Sequence, residues 1–224
     1  MKIQILIPVY NDWQSVSKLV DEIDNLSIDP EFQISIIIVN DASNHDRQDE
    51  EKSLENLHSI KILNMKINQG HARCIATGLK YTYEKEDFDY VIPMDGDGED
   101  RPEEIKEFLN QIKNSNGRPI IGERIKRSES LFFKFCYQFH KFLTLSFTGQ
   151  SIRFGNFTCL SKATVEKMLK EKATWSSFSG SLKKVEKDLI LIPSIRGVRY
   201  FGPSKMSFVN LLKHSLSIIS VFRK

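Results

Sequence analysis

Cysteine is scarce in this chain: three in 224 residues, at Cys74, Cys136 and Cys159. An odd number at wide spacing fits neither a disulfide framework nor a zinc site, and it implies a reducing compartment. No apolar run reaches the ~18 residues that a membrane span requires. The apolar stretch that opens at Ile3 is over by Val9, too short for a signal peptide. No G-x-G-x-x-G follows the first strand-like run and no G-x-x-x-x-G-K-[ST] occurs, so a dinucleotide oxidoreductase and a P-loop ATPase both lose their main support. Acidic residues are absent after Asp188.

That last absence belongs to a wider asymmetry. The net charge is only +3, yet residues 1–110 carry 11 Lys and Arg against 23 Asp and Glu, while residues 111–224 carry 21 against 6. A basic half can face phosphates, an anionic membrane surface or nucleic acid. Its cations are interleaved with long apolar faces, which suit lipid better than a duplex. The length fits a single α/β domain.

What the chain does have is an acidic loop at a strand end. The apolar run 90–94 breaks into Asp95-Gly96-Asp97-Gly98-Glu99-Asp100, and Pro102-Glu103-Glu104 then opens a helix. Three carboxylates at alternate positions raise one another's pKa unless a cation offsets them. Mg²⁺ suits such a place, since it takes one or two carboxylates together with substrate phosphates. An EF-hand is excluded, because its sixth and twelfth positions would hold Asp100 and Lys106 rather than Gly and Glu. A solvated acidic turn capping the helix is the other reading of this loop.

Taken in order, the chain predicts strands over 2–8, 34–39, 59–64 and 90–94, with helices over 15–25 and 72–83 between them. The charged stretch 44–56 reads as a solvated loop or helix. Strands alternating with helices imply a mostly parallel sheet with right-handed crossovers. Polar clusters close each strand at its carboxyl end, the edge where open α/β sheets bind ligands. Further strands are expected over 119–122, 157–160 and 189–193, an edge strand over 195–201, and a helix over 162–170.

At this point four motifs stand in register: Ile7-Pro8-Val9-Tyr10-Asn11; Val39-Asn40-Asp41-Ala42-Ser43; Asn68-Gln69-Gly70 with Ala72-Arg73; and Met94-Asp95-Gly96-Asp97-Gly98-Glu99. Their order and spacing resemble family 2 glycosyltransferases of the GT-A fold. Gly122-Glu123-Arg124 with Arg127, Gly155-Asn156-Phe157 through Leu160-Ser161-Lys162, and Arg199-Tyr200-Phe201-Gly202-Pro203-Ser204-Lys205 look like the polyprenyl-phosphate branch, which includes dolichyl-phosphate mannose synthase and undecaprenyl-phosphate sugar transferases.

The resemblance implies an α/β GT-A domain over 1–205, a mixed, mostly parallel sheet flanked by helices, and a basic amphipathic segment over 206–224. It implies a nucleotide-sugar pocket of Pro8, Tyr10, Asn11, Asp41, Asn68, Arg73 and Asp95. A Mg²⁺ or Mn²⁺ ion would sit on Asp95, Asp97 and Glu99, the last standing where relatives often have Gln. The ion would neutralise the departing diphosphate as Lewis acid and template. Arg124 and Arg127, whose forks grip phosphate oxygens in pairs, would orient a polyprenyl phosphate acceptor. Arg199 and Lys205 would steady the leaving group.

Three departures bear on that transfer. The chain ends where many relatives continue into membrane helices, which implies a peripheral enzyme at the inner face of the cytoplasmic membrane, or one with a membrane partner subunit or a homodimer partner. The aromatic stretch 131–147, with Lys134, Gln138 and Lys141 as one polar stripe, and the segment 206–224 would lie at the bilayer surface; a helix in the core or at a dimer contact is the other reading of 131–147. Asn156 stands where relatives often have Asp. Members that glycosylate a hydroxyl carry a Glu-Asp pair opening a downstream helix as general base, whereas here Glu186 and Asp188 are split by Lys187 and precede a strand. A phosphate monoester, already anionic, needs no such base. Transfer to a saccharide or protein hydroxyl in surface-polymer assembly, and a non-catalytic nucleotide-sugar-binding module, remain the competing expectations.

Overall fold

A computed structural model of the chain describes residues 1–45, 53–126 and 154–202. The elements are β1 (Lys2–Val9), α1 (Trp13–Asp24), β2 (Gln33–Asn40), β3 (Ser59–Asn64), α2 (His71–Lys85), β4 (Tyr90–Pro93), α3 (Ile105–Ser115), β5 (Ile120–Lys126), β6 (Thr158–Ser161), α4 (Lys162–Lys170), α5 (Phe178–Val185) and β7 (Ile190–Ile195). Short 3₁₀ turns, Pro102–Glu104 and Lys172–Trp175, precede α3 and α5.

All seven strands form one sheet in the order β3-β2-β1-β4-β6-β5-β7. β1 pairs in parallel with β2 and β4, β2 with β3, and β5 with β7; β6 is antiparallel to both β4 and β5. The mixed, mostly parallel sheet read from the sequence is therefore present. Alternation along β1 explains the layers. Ile3, Ile5, Ile7 and Val9 face α1 and α3 through Val16, Leu19, Ile23, Phe108 and Ile112, while Leu6 faces α2, α4 and α5 through Ile75, Leu79, Val165, Met168 and Leu182. Branched residues covered on both faces are what a parallel strand needs. Gly78 lets α2 lie directly on β1, because a Cβ there would stand 2.2 Å from Leu6 Cδ1.

The expected edge strand over 195–201 does not form. β7 ends at Ile195, where its register with β5 becomes irregular beyond Arg124. The backbone of 196–202 turns instead to the acidic loop, with Gly197 N–H donating to Glu99 O at 2.8 Å and Tyr200 N–H to Asp97 O at 2.9 Å. The expected helices 131–147 and 206–224, together with Arg127, Cys136 and Lys205, lie outside the described residues. Cys74 and Cys159 are buried free thiols, and burial pushes Cys74 up to about 12.

Candidate active site

The parallel strands deliver their loops to one edge, and there a cavity of about 510 Å³ opens. Pro8, Tyr10 and Asp12 reach it from the end of β1, and Asp95, Asp97 and Glu99 from the end of β4. Arg124 enters from β5, Asn156 from the approach to β6, His71 from the start of α2, Ser177 and Ser179 from the start of α5, and Arg196 and Arg199 from the strap 196–202.

The acidic loop is shaped from within. Asp100, buried, accepts from Asp95 N–H at 2.9 Å, and Asp97 Oδ1 accepts from Glu99 N–H at 3.0 Å. Gly98 sits at φ 85°, and a Cβ on it would meet the Tyr200 ring at 2.5 Å. Such a backbone, with a ring packed on it, admits only glycine. Tyr200 is itself tied down by a hydrogen bond to Glu22 and by Lys18 Nζ, 4.5 Å from its ring centre.

Arginines face these carboxylates. Arg199 bridges Asp97, at 2.7 Å, and Asp12; Arg196 pairs with Glu99; Arg124 stands 3.5 Å from Asp100. Among the described residues, Asp95 has no arginine contact of that kind. Its Oδ1 lies 3.4 Å from His71 Nε2 and accepts from Asn156 Nδ2 at 3.3 Å, while Asn156 Nδ2 and His71 Nε2 are 2.5 Å apart.

The carboxylates consequently titrate apart. Burial would push Asp95 up, but His71, Arg124, the Asn156 hydrogen bond and Arg196 together hold it below its ordinary value. Asp97 is raised, first by burial and then by repulsion from Asp95, against the pull of Arg199 and Arg196. Asp100 is pushed up to about 7 by burial and by Asp95, with Arg124 opposing.

Two of the three expected donors are placed to hold a divalent ion. Asp95 and Asp97 both open on the cavity. That fits an ion taking two carboxylates and completing its shell from substrate phosphates. The expected third donor does not join them. Glu99 is turned to Arg196, and the described residues contain no group of three His, Cys, Asp or Glu arranged to hold a metal. Cations from a distant part of the chain, rather than an ion alone, offset the crowding expected of the alternating carboxylates.

The other expected binding residues gather in an adjoining network. Asn11, with φ 51°, donates its N–H to Ser43 Oγ at 2.9 Å, and its side chain accepts from Asn44 N–H at 2.8 Å. Asp41 is buried and accepts from Gln69 and Gly70 N–H, both at 2.8 Å. Asn68 donates to Asp41 O at 3.2 Å, and Arg73 to Gln69 Oε1 at 3.0 Å. These four knit the loops after β1, β2 and β3 without lining the cavity, whereas Pro8 and the exposed Tyr10 do line it.

Asp12, His71, Arg196 and the serines of 176–179 went unassigned in the sequence. Asp12 follows directly on the Tyr10-Asn11 motif, and His71 on Asn68-Gln69-Gly70, so their positions were a signal. Ser177, directly before the apolar Phe178, was a helix-start signal.

The model for glycosyl transferase family 2 matches residues 4–178. The chain belongs to that family. As a glycosyltransferase it is 25% identical, over 98% of its own length and 67% of the relative's, to the undecaprenyl-phosphate 4-deoxy-4-formamido-L-arabinose transferase of Klebsiella pneumoniae (strain 342). Glucosyl-3-phosphoglycerate synthase from Mycobacterium tuberculosis, crystallised with Mn²⁺, UDP-glucose and phosphoglyceric acid, superposes with a TM-score of 0.68 at 12% identity, covering 99% of this chain and 78% of that one. S. aureus TarS 1–349 with UDP-GlcNAc superposes at 0.61 and 13% identity, over 90% of this chain and 60% of TarS. The chain thus spans less than two thirds of the TarS fragment, and the shared architecture is the GT-A fold.

Proposed function

We propose that the chain moves a sugar from a nucleoside-diphosphate sugar to a polyprenyl phosphate, in one displacement that inverts the anomeric centre. One observation carries this reading: the cavity sets Asp95 and Asp97 against Arg124, Arg196 and Arg199, and the helix that opens onto it begins Ser177-Phe178-Ser179 instead of with a carboxylate base. Glu186 caps the far end of that helix and pairs with Lys167 at 2.8 Å, and Asp188 pairs with Arg118 at 3.2 Å, so neither faces the cavity. A phosphate monoester acceptor needs no proton removed at neutral pH. The K. pneumoniae relative's name and the Mn²⁺ and UDP-sugar complexes of the structural neighbours support the reading.

In this account Asp95 and Asp97 would hold Mg²⁺ or Mn²⁺, which when bound supplies positive charge against the leaving diphosphate. Arg199 gives up part of its hold on Asp97 to face the diphosphate, and Lys205, outside the described residues, shares that role. The network of Asn11, Asp41, Asn68 and Arg73, with Pro8 and Tyr10, takes the nucleoside end. Arg124 and Arg127 turn to the acceptor phosphate. Among the described residues no helix is long and apolar enough to cross a membrane; the basic, apolar segments 131–147 and 206–224 support peripheral contact with the inner face of the cytoplasmic membrane.

Incubation with radiolabelled sugar nucleotides and undecaprenyl phosphate tests this. Label partitioning into butanol is the expected result; label confined to a water-soluble acceptor overturns it. One observation favours that second outcome: His71 places a titratable ring in the cavity beside Asp95, where a hydroxyl acceptor would need a base.

A further inference from the structure

Arg124, the described arginine assigned to the acceptor phosphate, does not stand free in the cavity. Its guanidinium lies 3.5 Å from the buried Asp100, and both side chains are largely enclosed. Much of its charge is already answered. A phosphate monoester brought beside the acidic loop must therefore find further donors that carry no carboxylate partner.

The start of α5 has them. Ser177 caps the helix by accepting from Gly180 N–H at 3.3 Å, and Ser181 N–H closes the first helical bond onto Ser177 O at 3.0 Å. Between these two bonds, the backbone N–H groups of Phe178 and Ser179 have no acceptor among the described residues. Such orphan donors are inherent to a helix start. A second feature is not. Ser179 is only 4% exposed, lines the cavity, and its hydroxyl has no hydrogen-bond partner among the described residues. Ser177, 1% exposed and also lining the cavity, accepts through its oxygen and leaves its own proton without an acceptor there. A buried hydroxyl left unpaired is costly, and four donors at a helix start describe an anion site.

We infer that the first turn of α5 is a phosphate-binding element, with Ser177 and Ser179 receiving the acceptor's phosphate monoester opposite the donor's diphosphate at Asp95 and Asp97. The inference rests on the polyprenyl-phosphate reading and adds to it a neutral half of the acceptor site. Phosphate oxygens would accept from Phe178 N–H, Ser179 N–H and the two hydroxyls, and Arg124 would contribute the nearby positive charge.

Calorimetric titration of the full chain with farnesyl phosphate, farnesol, inorganic phosphate and either UDP or GDP, whichever binds the wild type, separates the possibilities. Ser179→Ala should weaken farnesyl phosphate and inorganic phosphate about tenfold, the scale of one hydrogen bond to a charged group. Ser179→Asp should abolish both while leaving nucleotide affinity within twofold. Because Ser179 is only 4% exposed, a carboxylate there costs some stability, and the retained nucleotide affinity, which only a folded chain can show, separates lost binding from lost folding. Unchanged phosphate affinity in both variants overturns the inference and leaves the acceptor reading standing. An equal fall in nucleotide affinity assigns the turn to the donor diphosphate and overturns it too. A wild type that binds nucleotide but not farnesyl phosphate overturns both.

Discussion

Two aspartate loops close neighbouring parts of the same sheet edge, and they spend their charge differently. Asp41, at the end of β2, is buried and gives both carboxylate oxygens to backbone N–H groups of Gln69 and Gly70. Asp97, beyond the end of β4, gives one oxygen to the long side chain of Arg199, and Glu99 answers Arg196. Backbone partners are fixed by the fold. Arginine side chains on a strap held by two backbone bonds can exchange partners without unfolding anything. The first loop is architecture and the second is a charge store open to substitution by an ion and a diphosphate.

Breaking the second loop should cost the most activity. Asp97→Ala is expected to lower transfer by more than about a hundredfold while leaving the melting temperature unchanged or higher, because it removes a charge disfavoured first by burial and then by repulsion from Asp95; initial rates and a thermal melt check both parts. Breaking the first loop should cost stability. Asp41→Ala strands two N–H groups and should cost about 2–4 kcal/mol in urea unfolding, with Asp41→Asn recovering part. Arg199→Gln sharpens the contrast: it frees Asp97 and Asp12 of a competitor, so Mn²⁺ should bind the nucleotide-free protein several-fold more tightly even as turnover drops. The smallest effect concerns Asp24, another carboxylate answered by backbone, here the N–H groups of Glu55, Asn56 and Leu57. Burial pushes Asp24 up, but those three bonds outweigh it and leave it below its ordinary 3.8. A depressed carboxylate stabilises the fold above its unfolded pKa, and that stability is lost as pH falls through the folded value. Asp24→Asn should therefore cost about 1 kcal/mol at pH 7 and progressively less as the pH falls below 3.8.

The core and its edge were legible because local periodicity carries them. Ile34 to Val39 reads as a doubly covered strand, Val16, Leu19, Val20 and Ile23 as one helix face, and the run before Asp95 as a strand that stops at a polar loop. What was not legible depends on residues far apart in sequence. Nothing near Glu99 announces Arg196, 97 positions later, and nothing near Arg199 announces Asp12. The same long-range pairing explains why 196–202, which alternates like a strand, leaves the sheet: its backbone bonds are taken by Asp97 and Glu99. The serines of α5 were hidden for another reason. Ser and Thr clusters ordinarily mark turns, and only burial beside the cavity gives Ser179 a different meaning.

The most direct test is the affinity of a nucleoside-diphosphate sugar with and without Mn²⁺, in wild type and in Asp97→Ala. The account predicts that Mn²⁺ tightens binding more than about tenfold in the wild type and leaves the variant unchanged. Equal affinity with and without the ion in the wild type, or an undiminished Mn²⁺ effect in the variant, would contradict the role given to the Asp95–Asp97 pair.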